Sequence, residues 1–241
     1  WDLVARGEWE YAIVNLFKNG HPRGIVHAST IPDLNALPFP ARHLAGERAF
    51  SATLMPGHTW GEGEKAAMLI SSRGCPYKCN FCASARTLPV RFRSPENIAA
   101  EVQELVERYG VRAFRDESDN LLGNRKWFLK LCELLTPLKV KRKGHSRSAQ
   151  VTGELVDAAR TAGMVEMGLG VESADTEVLK LVGKGETVDE HYRAVFLIKM
   201  HGIIAKTYWI SGLPGETERT LELNAQFMRE AKPDKWTLSR F

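Results

Sequence analysis

The sequence predicts an α/β protein built of successive parallel βα units, a partial barrel or an open doubly wound sheet, incomplete in its sixth unit. Three observations predict it. From Lys65 onward, apolar strand-like runs alternate with amphipathic helical ones, one pair per roughly 30 residues. Five such units and the start of a sixth strand follow one another. A loop carrying three cysteines lies directly behind the first strand, and both barrels and doubly wound open sheets hold their ligands at the carboxyl ends of the strands. The spacing alone suits either of those two architectures.

The elements follow in order. Residues 1–60 hold a short alternating run from Asp2 to Arg6 and an apolar pattern over Glu10–Lys18, which predicts one helix ended by Asn19-Gly20. The rest is turn chemistry, with Pro22, Pro32, Pro38, Pro40 and Pro56, and no core of its own is expected. Ala66–Ser72 reads as a buried strand. Ser94-Pro95 opens a helix as N-cap and first-turn proline, Ile98, Val102, Leu105, Val106 and Tyr109 share its face, and Gly110 closes it. Val111–Arg115 is the second strand, Asn124–Leu135 a helix, Val140–His145 the third strand. A helix over Thr152–Ala162 ends at Gly163, before a fourth strand, Val165–Val171. Thr187 and Glu190 form a capping box for a helix through Met200, stopped by Gly202. Ile203–Ile210 is the fifth strand, Thr217–Ala231 the last helix, and Lys235–Leu238 begins the sixth strand.

Composition narrows the function classes. Of 241 residues, 44% are hydrophobic and 26% charged, an ordinary globular balance. A net charge of +4 is too mild to argue for nucleic acid, and the aromatic residues form no base-stacking platform, so nucleic acid is not an expected partner. No stretch approaches the 18 or so apolar residues of a membrane span, no signal peptide opens the chain, and a cytoplasmic setting is expected. The sequence starts at Trp1 in what reads as mid-domain, as a piece of a longer protein does.

Cys75, Cys79 and Cys82 fall within eight residues, in the run RGCPYKCNFC over 73–82. Three thiolates on one loop suit three corners of a four-iron cluster and leave one iron open to a small molecule. Structural zinc is the first rival, but it is usually closed by a second cysteine or histidine pair, and Cys132 is the only other cysteine. A disulfide is disfavoured in a reducing compartment. The CxxxCxxC spacing with Phe81 before the last cysteine resembles the radical S-adenosylmethionine (SAM) superfamily. So do GLGVES (168–173), VGKGET (182–187) and ISGLPGET (210–217), taken in that order. The resemblance covers about residues 65–240, and it implies an α/β fold, a partial (β/α)6 TIM-like barrel truncated in the sixth unit, with an N-terminal remnant of a second domain; the unit count fits it.

It implies a [4Fe–4S] cluster on Cys75, Cys79 and Cys82, SAM chelating the free iron, and a reductant such as a flavodoxin or ferredoxin. It also places SAM contacts among Phe81, Asp116, Glu117, Arg147, Glu172, Ser173 and Gly212. Each has a plainer alternative. Asp116, Glu117 and Asp119, in RDESDN where many members carry Gly-Gly-Glu, compete for the SAM amine or serve a solvated turn. Arg147 forks onto the SAM carboxylate or is one more surface arginine after the basic strand Lys139–Lys143. Glu172 binds ribose hydroxyls or caps a helix. Gly212 opens a turn that cradles an anion or is merely tight. Gly215 stands where other branches place a glutamate, with Glu216 one position late. Cys132, His191 and His201 read as structural.

DLNALPFPAR (33–42) resembles the linker after a cobalamin-binding domain, and VARGEWE (4–10) is similar to that domain's last strand and helix. Residues 1–60 are therefore expected to be the tail of a cobalamin domain plus linker, and 61–241 the radical SAM core. The cobalt-ligating histidine motif is not among these residues. The function so implied is reductive SAM cleavage to a 5′-deoxyadenosyl radical on a small-molecule substrate, with cobalamin-dependent methyl transfer or rearrangement. Two alternatives stay open: a tRNA methylthiotransferase-like enzyme, and a non-catalytic iron–sulfur or zinc module.

Overall fold

A computed structural model describes residues 3–20, 23–46, 50, 64–84 and 89–241. Asp2, Pro22 and Pro56 lie outside the described residues. The chain divides into two compact units, Trp1–Pro40 and Ala41–Phe241. The division falls inside the expected linker over 33–42.

The first unit is a strand, a helix and a strand: β1 (Leu3–Arg6), α1 (Glu10–Asn19) and β2 (Gly24–His27). β1 and β2 pair in parallel from Leu3 opposite Gly24 to Arg6 opposite His27. Gly7 at the β1 exit has φ +108°, and a Cβ there would sit 2.2 Å from the Ala28 carbonyl oxygen, so only glycine lets the two chain segments meet. Ile31 and Leu34 are buried, and the Ile31 amide donates to the buried Glu8 carboxylate at 2.5 Å. β2 was not expected. Four residues with one half-buried side chain leave no alternation to detect.

The second unit carries a six-stranded, all-parallel sheet in the order β10-β9-β8-β7-β6-β3. Its strands are β3 (Ala66–Leu69), β6 (Ala113–Asp116), β7 (Lys141–Ser146), β8 (Met164–Glu172), β9 (Ile204–Ser211) and β10 (Lys235–Arg240). A small antiparallel pair, β4 (Ser72–Arg73) with β5 (Arg91–Phe92), flanks it. The helices are α2 (Pro95–Tyr109), α3 (Arg125–Leu135), α4 (Gly153–Thr161), α5 (Thr176–Leu181), α6 (Val188–Met200) and α7 (Glu218–Ala231).

Strand order decides what spacing left open. A doubly wound sheet reverses direction at a switch point. Here each strand is added beside the previous one, so every right-handed crossover moves the same way and the helices gather on one face. Side-chain parity agrees. Leu69, Phe114, Met167, Leu169, Val171, Ala205 and Trp209 join the helix-side core with Ile98, Phe128, Leu131, Val156, Ile198 and Phe227. The alternate residues Met68, Arg115, Lys143, His145, Lys206 and Tyr208 face the other, concave side. This is the open wall of a partial barrel.

Capping chemistry sets the helix ends as expected. Ser94 accepts from the Asn97 amide, and Gly110 closes α2 in the left-handed conformation at φ 67°. The Thr187–Glu190 capping box forms. Strand limits shift by one to three residues. The largest correction is the first strand, which ends at Leu69 and is not buried on both faces: Met68 is 47% and Ile70 41% exposed. Ser72-Arg73 turns away to pair with β5. Helix α5 was also missed, because six residues with only Val178 and Leu179 buried give no helical period.

Gly163, at φ +84°, ends α4 where a Cβ would lie 2.1 Å from the Val140 carbonyl oxygen. Gly163→Ala is therefore expected to destabilise the fold by about 2–4 kcal/mol, through left-handed strain plus a backbone clash. Urea unfolding of the variant measures it, and an unchanged midpoint refutes it.

Candidate functional site

The cysteine loop leaves the carboxyl end of β3 and is pinned at several points. Asp119, just past β6, accepts from the Gly74 amide at 2.7 Å and from the Ser84 hydroxyl at 2.7 Å. One carboxylate thus closes the loop on both sides of the three cysteines. In the middle, the Asn80 amide donates to the Val182 carbonyl at 3.0 Å and its side chain to the Leu181 carbonyl at 3.1 Å. Phe81 packs against the cluster of Val178, Val182 and Leu213, fastening the loop to α5 and to the turn after β9.

Asp116 holds the root of the loop. Its carboxylate is buried and accepts from the Ser71 amide at 3.3 Å and the Ser118 amide at 3.0 Å. It also accepts from the Ser118 hydroxyl at 2.5 Å and from the Ser71 hydroxyl. Burial raises its pKa above the ordinary carboxylate value, and these four donors only partly offset that. Both oxygens face protein donors. Glu117, the next residue, turns to the concave face and pairs with Arg115 at 2.7 Å. Its pKa is lowered, first by the His145 ring, whose Nε2 lies 3.8 Å away, and then by the charge of Arg115, against desolvation.

Of the two readings of Arg147, the surface arginine is the one that fails: it is 6% exposed, at the end of β7. Its guanidinium lies 3.7 Å from the Tyr77 ring centroid, and Nη1 donates to Cys79 Sγ at 3.5 Å. Nη2 donates to the Lys184 carbonyl and pairs with Glu186 at 3.3 Å. Lys184 in turn pairs with Glu172 at 3.2 Å and with Glu186 at 3.3 Å. Glu186 also accepts from the Ala149 amide at 2.7 Å. One buried chain of charge therefore runs Cys79–Arg147–Glu186–Lys184–Glu172. Burial raises the Glu172 pKa, and Lys184 opposes it.

Glu172 occupies a register shift in β8 at φ 65°, a conformation that non-glycine residues avoid. A side chain on Gly170 would sit 2.4 Å from its carboxylate. Backbone strain and a bare neighbour both serve to place this one carboxylate. Ser173 and Gly212 stand outside the charge chain. Ser173 is buried, with its hydroxyl accepting from the Asp175 amide at 3.1 Å. Gly212, at φ 84°, donates to Glu216 at 3.1 Å, and a Cβ on Gly215 would meet Leu181 at 2.5 Å. Glu216 thus closes the turn on its own backbone. Cys132 is buried on α3, accepting from Arg142 at 2.8 Å, and His191 is buried with Nδ1 2.8 Å from the Ser148 hydroxyl.

Lys184, Glu186 and Tyr77 were not singled out from sequence. A lysine and a glutamate alternating with glycines, in the VGKGET run, were the available signal, since Gly183 and Gly185 both take left-handed φ to bring them inward. Asp119 was read as one of three carboxylates for the SAM amine, and its loop-closing contacts lie 35 and 45 residues away in sequence.

The donor set fits a multi-iron cluster. The three thiols share one loop, and Cys79 and Cys82 lie near enough that each raises the Cys75 pKa, while burial raises it most and Arg147 lowers it. Among the described residues no three His, Cys, Asp or Glu side chains converge as ligands of a single metal ion. A cluster takes its thiolates on separate irons, so its ligands stand further apart than those of one tetrahedral zinc.

The chain is similar to curated relatives in sequence and to solved structures in fold. The chain is 29% identical over 265 residues to the anaerobic magnesium-protoporphyrin IX monomethyl ester cyclase of Cereibacter sphaeroides, covering 98% of this chain and 42% of that one. It is 24% identical to the bacteriochlorophyllide d C-12(1)-methyltransferase of Chlorobaculum tepidum, covering 92% and 48%. The chain thus spans less than half of each. Among solved structures, the radical S-adenosylmethionine methyltransferase TsrM from Kitasatospora setae, with cobalamin and a [4Fe-4S] cluster bound, superposes with a TM-score of 0.67 at 16% identity, over 73% of this chain and 34% of that one. At that identity the likeness shows the fold alone. The family model for the radical SAM superfamily matches residues 69–228, from the last residue of β3 into α7, and with the cysteine loop at its head the chain belongs to that superfamily.

Proposed function

We propose that this chain is the SAM-cleaving core of a cobalamin-dependent radical enzyme that performs a methyl transfer or a rearrangement on a small molecule. The observation that carries this reading is the closed cysteine loop at the head of the parallel sheet, backed by the buried Arg147–Glu186–Lys184–Glu172 chain. Cys75, Cys79 and Cys82 would hold a [4Fe–4S] cluster, which when bound to SAM supplies one electron to break its sulfonium bond and yield a 5′-deoxyadenosyl radical.

The chain's own residues do the rest. Asp119 and the Asn80–Val182 contact hold the loop in one conformation, so the ligands need little reordering on loading. Tyr77 and Arg147 cover Cys79 from water, and the Arg147 N–H offers a hydrogen bond to its sulfur. Glu172 keeps a carboxylate at the end of β8, where it suits ribose hydroxyls. The missing side chain at Gly170 leaves the room that the Glu172 carboxylate and the Lys184 ammonium fill. For the first unit, the β1–α1–β2 fragment and the linker-like DLNALPFPAR support a cobalamin-domain tail. The relatives named as methyltransferases and cyclases support the reaction class. A flavodoxin or ferredoxin suits the role of reductant.

Anaerobic reconstitution with iron and sulfide tests the core of this reading. About four irons and four sulfides per chain are expected, with formation of 5′-deoxyadenosine on adding SAM and dithionite. Zinc without sulfide would overturn it. Asp119→Ala opens both sides of the loop and is expected to lower cluster content about tenfold, the low end of the roughly 10–100-fold range of supporting-residue losses. Iron and sulfide analysis reads the change; full loading of the variant would refute the clamp.

A further inference from the structure

The concave face of the sheet is charged, where a closed barrel packs branched apolar side chains. Its floor is small and apolar, with Ala66 and Ala113 buried against Val165. Above the floor, register sets Arg115 beside Lys143, His145 beside Gly168, Gly168 beside Lys206 and Lys206 beside Lys235. Among the described residues above that floor, the cations Arg115, Lys143, Lys206 and Lys235 therefore share this wall with the carboxylates Glu117 and Glu166.

The carboxylates are already engaged. Glu166 meets Lys235 at 3.1 Å and Lys143 at 3.4 Å, and Glu117 meets Arg115 at 2.7 Å. Lys206 makes no ion pair among the described residues and lies over the Tyr208 ring at 4.8 Å from its centroid. Burial lowers its pKa, Glu166 opposes that, and the charges of Arg115 and Lys235 add to the lowering. A contiguous patch results. Arg115 Nη2 lies 3.2 Å from His145 Nε2, the His145 and Tyr208 rings stand edge to face at 5.3 Å, and Tyr208 carries Lys206. Gly168 makes room for it, since a Cβ there would sit 2.6 Å from His145 Nδ1 and 2.7 Å from the Tyr208 ring.

We propose that this patch, Lys206 with Arg115, His145 and Tyr208, is a binding subsite for an oxyanion of the substrate, a carboxylate or a phosphate. Among the described residues no carboxylate pairs with Lys206 on this half-buried wall, and a bound anion completes that arrangement. The patch lies on the strands below the level of Arg147 and the cysteine loop. A substrate anchored there by its acid group points its remaining length toward the radical source. The word substrate rests on the SAM-cleaving reading; the anion site itself does not.

Calorimetric titration of the cluster-free full chain with inorganic phosphate and, separately, with succinate tests it. Saturable binding of at least one is expected, and the stronger of the two names the acid group. Lys206→Gln and Arg115→Gln should each weaken binding about tenfold, Lys206→Arg should restore it, and the exposed Lys126→Gln should leave it unchanged. Thermal unfolding of each variant separates lost binding from lost fold. Absence of saturable binding, or equal binding by Lys206→Gln, overturns the subsite. So does a matching loss of SAM affinity in Lys206→Gln after reconstitution, which would assign the patch to the SAM carboxylate. Cluster content measured on the same samples reports on the SAM-cleaving reading separately.

Discussion

Replacing Cys79 by alanine is expected to abolish cluster formation while leaving the fold in place. Cys79 is the most enclosed of the three loop cysteines, and its sulfur takes the Arg147 hydrogen bond. Removing it leaves two thiolates for a cluster that needs three from this loop, and iron and sulfide content should fall by about tenfold or more. The cost to the cluster-free fold is small, about 1 kcal/mol, because one small buried side chain is shortened. Cys132→Ala is the control. Cys132 lies on α3, bonded to Arg142, and its loss should leave loading at the wild-type level. A brown, sulfide-containing Cys79→Ala protein would sink the assignment, as would a colourless Cys132→Ala.

The second large effect concerns Asp116. Asp116→Ala strands the buried Ser118 amide and the Ser71 and Ser118 hydroxyls, and should destabilise the chain by about 2–4 kcal/mol. Asp116→Asn keeps one acceptor oxygen and should cost much less. The pH dependence has a definite sign. Because burial raises the folded-state pKa above the unfolded one, the contribution is complete below the unfolded value and is lost as pH rises through the folded value. Asp116→Asn cannot ionise, so its stability should stay flatter across that window. Denaturant unfolding at several pH values measures both effects. Equal losses in the alanine and asparagine variants would refute the hydrogen-bonding account.

Much of this was legible in the chain. The cysteine spacing is local, so its meaning survives without coordinates. Helix ends at Ser94, Gly110 and Thr187 rest on capping interactions within five residues, and the structure forms them. The alternation of strand and helix set the α/β class. What failed was short or depended on distant partners. β2 and α5 are too brief for a period, and the burial of the first strand was misjudged because Met68 and Ile70 face an open concavity.

Arg147 shows the same boundary from the site's side. Nothing adjacent marks it as buried; Tyr77, Cys79, Lys184 and Glu186 reach it from 37 to 70 residues away. Asp116 and Asp119 looked alike in sequence, as neighbouring carboxylates free to meet a ligand, yet each closes hydrogen bonds to the loop behind β3.

By itself the sequence determined the chemistry on offer and the class of fold, because thiolate spacing, caps and hydrophobic period act over a few residues. Only the tertiary structure decided on a partial barrel, by the order of its strands. It also decided which charges are buried together and which face the open wall, since those depend on contacts between segments that no local pattern encodes.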